Sequence, residues 1–105
     1  MILTTTDLIP GRDVVETIGL VRGSAVRAQH VGRDVMATLK NLVGGELDEY
    51  TKLLAEAREQ ALDRMTAEAQ ARGANAVVGV RFASSEVTAG AAEVLAYGTA
   101  VRLQG

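Results

Sequence analysis

Gly73-Ala74-Asn75-Ala76-Val77-Val78-Gly79-Val80-Arg81-Phe82 joins two kinds of periodicity, and the joint decides how the chain is read. Upstream, Leu47, Tyr50, Leu54, Ala57, Ala61, Met65 and Ala69 recur at steps of three and four, the spacing of one face of an α-helix. Gly73 stands at the left-handed stop position that ends such a helix. Downstream, a valine-rich alternating run has the period of a strand. The pattern predicts a helix from Glu46 to Arg72 followed by a strand over 75–84, with 92–103 returning as its antiparallel partner. Glu46, Asp48 and Glu49 set negative charge against the positive end of the helix dipole. Glu68 and Arg72 are expected as an ion pair on its solvated outer side.

Working outward toward the N-terminus, Val14 to Gln29 is rich in valine and isoleucine and reads as one long strand that bends or bulges at Gly19 and Gly23. Both of its faces are largely apolar, with Val14, Ile18, Leu20 and Val26 on one parity and Val15, Val21, Ala25 and the glycines on the other. Such a strand suits a sheet covered on both sides. Ile2–Thr6 reads as a short edge strand ended by Pro10-Gly11, and apolar spacing over Val31–Val43 predicts a short helix broken by Gly44-Gly45. In the first hairpin strand Val78, Val80 and Phe82 are expected on one face. In the second, Leu95, Tyr97, Val101 and Leu103 share a face opposite a flat side of Ala96, Gly98 and Ala100. The 84–90 connection has too little pattern to place. Gly79 and Gly98 interrupt apolar strands, which predicts positions of close approach.

At 105 residues the chain reads as a single domain, 1–105, able to bury a core. Its apolar content of 48% is carried by alanine and valine, with Tyr50, Phe82 and Tyr97 as the aromatic residues. Small side chains gain less from burial, at about 25 cal/mol per Å² of apolar area, so shared burial between subunits is expected. A net charge of −2 offers no basic field for nucleic acid or an anionic membrane. The chain contains no cysteine, which excludes a disulfide framework, thiolate ligation and a cysteine nucleophile. Without an apolar run long enough to span a bilayer and without a leader-like N-terminus, the expectation is a soluble cytoplasmic protein.

No catalytic constellation is visible. His30, with Asp34 four residues on, is the sole histidine. A metal site usually needs three or four ligands, and a general base needs a paired nucleophile. The runs Gly19-Leu20-Val21-Arg22-Gly23 and Gly73-Ala74-Asn75-Ala76-Val77-Val78-Gly79 match neither a dinucleotide fingerprint nor a Walker loop. Glu46, Asp48, Glu49, Glu56, Glu59 and Asp63 supply oxygen ligands on paper, yet their distribution is that of a solvated helix face. Arg22, Arg27, Arg81 and Arg102 lie in strand segments, where they must pair, reach solvent or line a polar channel between subunits.

Thr4-Thr5-Thr6 before Pro10-Gly11, Gly44-Gly45 before Tyr50, Ala57-Arg58-Glu59, the Gly73–Val80 run and Gly98-Thr99-Ala100-Val101 occur in that order, and on these segments the chain resembles the YbjQ-like, UPF0145 family. The resemblance covers nearly the whole length. It implies an α+β, dodecin-like subunit, with an antiparallel sheet against one long helix plus a short one, assembled as a ring-shaped homopentamer in which extra short strands help the contacts. It also brings a "putative heavy-metal-binding" label that carries no ligand set, so no catalytic or metal residue is assigned and the cofactor is unknown. Three functions follow as expectations: a homo-oligomeric binding protein holding a small molecule between subunits, a metal-binding protein, and a small hydrolytic or transfer enzyme.

Overall fold

The computed structural model describes residues 1–28, 48–88 and 91–105. Strand β1 (Ile2–Leu3), strand β2 (Val14–Ala28), helix α1 (Asp48–Ala71), strand β3 (Ala76–Thr88) and strand β4 (Ala91–Leu103) follow in that order. The sheet runs β1-β3-β4-β2, with α1 packed mainly over β2 and β4. The predicted 31–43 helix, Gly44-Gly45, His30, Asp34, Glu46 and Leu47 lie outside the described residues.

The helix ends as its sequence dictates. Gly73 adopts a φ of +86°, the Ala74 N–H reaches back to the Ala69 carbonyl (3.0 Å), and the Gly73 N–H reaches that of Gln70 (3.0 Å). This is the Schellman pattern, and Ala74 also packs on the core cluster that contains Ala69. From the stripe, Ala57, Ala61, Met65 and Ala69 are fully buried against Val21, Ala25, Val94, Ala96 and Ala100 of the sheet. Ala96 and Ala100 form the flat side of β4, as their alternation requires.

Asn75, between helix and strand, extends the ladder with its side chain. The Leu103 N–H donates to Asn75 Oδ1 (2.7 Å), and Asn75 Nδ2 donates to the Leu103 carbonyl (3.0 Å). Its own N–H donates to Val101 and its carbonyl accepts from Ile2, so one residue ties β1, β3 and β4 together.

Five expectations need correction. The sheet is mixed, because the two-residue β1 runs parallel to β3. Thr4 to Thr6 do not continue as strand, and instead close over a bulge at Gly79. That bulge also separates Val78 from Val80. With two residues of β3 set against one of β4, Val77 and Val80 both join the cluster under α1, while Val78 turns to the opposite face with Ala76, Val101, Leu103, Ile2 and Ile9. A second bulge around Ile18 does the same on β2, so Ile18 packs toward the helix while Leu20 is 62% exposed on the far face. Finally, β3 runs on through Ser84 to Thr88, into the stretch that the sequence left unplaced.

Candidate functional site

Among the described residues, those singled out for chemistry do not converge. Glu56, Glu59 and Asp63 are exposed on α1, and among the described residues no group of three or more His, Cys, Asp and Glu side chains is placed to hold a metal ion. The strand arginines separate into individual roles. Arg102 pairs with Glu16 at 3.5 Å in an exposed cross-strand contact, of the kind that contributes little to stability. Arg81 turns back to donate to the carbonyls of Thr5 (2.8 Å) and Val80 (2.9 Å). Arg22 is exposed, and Arg27 is half-buried with its Nε shielded and without a hydrogen-bond partner among the described residues.

Periodicity missed a set of contacts made by the helix along the outer edge of β2. Arg72 Nη1 donates to the Leu20 carbonyl (2.8 Å) and Nη2 to that of Ile18 (3.1 Å), Arg64 donates to the Ser24 carbonyl, and Glu68 accepts the Arg22 N–H (3.2 Å). Glu68 and Arg72 do approach each other, at 4.0 Å, but their shared task is the sheet edge rather than a solvated helix face. These side chains satisfy the outward backbone groups that would otherwise template another strand.

Among the described residues, one face of the sheet remains open. On the sheet face away from α1, Leu20 and Val26 are 62% and 55% exposed, with Arg22 between them on the same strand. On β4, Tyr97 opposite Arg22 and Leu95 opposite Ser24 are half-buried. At the N-terminal end, Thr4 and Thr6 share a hydroxyl–hydroxyl hydrogen bond (2.8 Å), Thr6 Oγ1 donates to the Leu8 carbonyl (2.7 Å), and Asp7 Oδ1 lies beside Gly79. No described helix is long and apolar enough to cross a membrane.

A family model described as "Putative heavy-metal-binding" matches residues 1–104. A UPF0145 protein of Archaeoglobus fulgidus is 59% identical over 104 residues, covering 99% of this chain and 96% of the relative. The chain belongs to the YbjQ-like, UPF0145 family. A UPF0145 protein of Methanoculleus marisnigri is 60% identical over 103 residues, covering 98% of this chain and 96% of the relative. Among solved structures, a protein with unknown function from the DUF74 family of Pediococcus pentosaceus superimposes with a TM-score of 0.66 at 16% identity, covering 99% of this chain and 98% of that one. At that identity the likeness shows the fold, an α+β sheet-and-helix arrangement shared along the whole UPF0145 chain.

Proposed function

We propose that this UPF0145 chain works as a cytoplasmic, non-enzymatic binding protein built as a ring of identical subunits, a dodecin-like homopentamer, that holds a small ligand where subunits meet. The observation that carries this reading is the apolar sheet face left open opposite α1, where Leu20 and Val26 flank the cationic Arg22. Monomeric proteins keep such patches small, and a mixed apolar and cationic face suits a second subunit together with an anionic or polar ligand.

The overall form supports the same reading. The radius of gyration is 17.2 Å and the extents are 53 × 23 × 15 Å, against about 13 Å for the radius of a compact domain of this length. The accessible surface of 6813 Å² exceeds the roughly 5,600 Å² expected for a monomer of this mass. Leu8, beside Thr6 and 74% exposed, adds a further apolar point.

Native mass spectrometry of gently purified protein tests the proposal in one measurement. A five-subunit mass with a copurified small molecule is the expected result. A stable monomer at micromolar concentration overturns the ring, and stoichiometric metal in place of an organic ligand favours the metal-binding function instead.

A further inference from the structure

We infer that the open face of the sheet takes a planar organic anion, its ring on Tyr97 and its anionic group held by the flanking arginines Arg22 and Arg81. The inference deepens the function proposed above and rests on it, in that it names the class of small ligand and the residues that meet it. Its basis is one row of the strand register. Arg22 of β2 and Arg81 of β3 both stand opposite Tyr97 of β4, the strand between them. All three lie on the face away from α1. Their chain neighbours Val21, Val80 and Ala96 belong to the cluster under the helix, and strand alternation turns the adjoining residue to the other side. Two strand spacings set the two arginine backbones about 10 Å apart, with the tyrosine midway.

The row carries uncompensated positive charge. Arg22 and Arg81 are exposed and Tyr97 is half-buried, and neither arginine forms a salt bridge among the described residues. The carboxylate that β4 puts on this face, Glu93, is four residues from Tyr97, roughly 13 Å along the strand. Asp7, the nearest acid of the N-terminal segment, stands beside Gly79. Arg81 is anchored through Nη1 on the Thr5 and Val80 carbonyls, and its other guanidinium N–H groups have no partner among the described residues. Arg22 is fixed through its backbone, whose N–H donates to Glu68, and its guanidinium is likewise uncommitted there. One tethered and one movable cation beside an aromatic ring can close on an anion from two sides.

The surroundings select a ring over a bare ion. Leu20, 62% exposed, and Leu95, half-buried, border the row on the same face, and inorganic phosphate gains nothing from them or from the tyrosine ring. A planar ligand gains from both, by stacking and by apolar contact. A nucleic-acid strand would need a basic track to follow, whereas this chain has a net charge of −2 and a single such row among the described residues.

Calorimetric titration of the full chain with two planar anions, AMP and benzene-1,4-dicarboxylate, and with two fragments, adenosine and inorganic phosphate, tests the row. Light scattering on the same samples gives the assembly state. At least one planar anion is expected to bind about tenfold or more tightly than either fragment. Preference for AMP marks a phosphorylated ligand, and preference for the dicarboxylate a carboxylated one. Arg22→Gln and Tyr97→Leu are each expected to weaken that binding about tenfold, and Tyr97→Phe, which keeps the ring, by less than about twofold. Should a variant not fold, movement of the Tyr97 ring signals in the NMR spectrum of titrated wild type decides the matter, and unmoved signals overturn the site. Absence of planar-anion binding below about 1 mM, or binding unchanged in Arg22→Gln and Tyr97→Leu, overturns the assignment and leaves an assembled ring standing. Phosphate that binds as tightly as AMP and the dicarboxylate overturns the planar ligand. A monomeric wild type that binds through the same residues overturns the ring and supports the row.

Discussion

Gly23 lies directly beneath Ala61. A Cβ added to this β2 glycine would fall on the Ala61 carbonyl oxygen and the Met65 amide nitrogen, and would press on Arg64 Cβ. Two backbones approach here with no side chain between them, which explains why the buried part of the helix stripe is mostly alanine. Helix backbone cannot move aside as the end of a flexible side chain can.

Gly23→Val is therefore expected to lift α1 from the sheet and to destabilise the subunit by about 3 kcal/mol, at the upper end of typical overpacking costs. Urea denaturation followed by helical circular dichroism checks it. A midpoint equal to that of wild type would mean the helix can reseat at no cost.

Gly98 and Gly79 are both needed, for different reasons. A Cβ on Gly98 would come within 2.7 Å of Val77 Cγ1 and 3.0 Å of the Val78 carbonyl oxygen, so Gly98→Val should cost about 2 kcal/mol through overpacking. At Gly79 the nearest neighbour of an added Cβ is Asp7 Oδ1 at 3.5 Å, an ordinary contact, but φ is +61°. The expected close approach is therefore corrected there to a conformational requirement. Gly79→Val should cost roughly 1–2 kcal/mol, and Gly79→Asn less, because asparagine tolerates left-handed backbone. Equal melting temperatures for the two Gly79 variants would refute this account.

Asn75→Ala removes both side-chain hydrogen bonds to Leu103 and leaves that residue's backbone groups to find other partners. A loss of about 2 kcal/mol is expected. Asn75→Asp should fall between alanine and wild type, because it keeps the acceptor for the Leu103 N–H and loses the donor. Thermal melting of the three proteins side by side gives the order.

Metal binding is open to a direct check. With one histidine, no cysteine and no triad of ligating side chains among the described residues, zinc or copper is expected to bind weakly or not at all within one subunit. Calorimetric titration should show no tight stoichiometric site. Tight binding that disappears in His30→Ala would overturn this and give the family's label a ligand.

The parts of the fold legible in the sequence are those set by neighbours along the chain. Gly73 stops the helix through bonds to Ala69 and Gln70, and Ala57, Ala61, Met65 and Ala69 repeat at the pitch of the helix that buries them. The bulges were hidden because one extra residue at Gly79 or Ile18 reverses the facing of everything beyond it, and no residue type marks which glycine takes positive φ. The guard on β2 was hidden for another reason. Arg64 meets Ser24 across 40 positions and Arg72 meets Ile18 across 54, and periodicity carries no information about such pairs. The candidate site was least legible of all, since an open sheet face becomes a site only against a second molecule.

The arginine and glutamate contacts along β2 also make the helix a chaperone in cis. If α1 detaches, the same event uncovers the carbonyls of Ile18, Leu20 and Ser24 and the amide of Arg22 on a 15-residue strand rich in valine. Loss of helix docking and gain of a sticky β-edge are then one step, so a partly unfolded chain is driven toward strand-to-strand clumping instead of lingering as a loose monomer. Conditions that weaken the helix, such as heat short of full denaturation, would show up as turbidity before they show up as reversible unfolding.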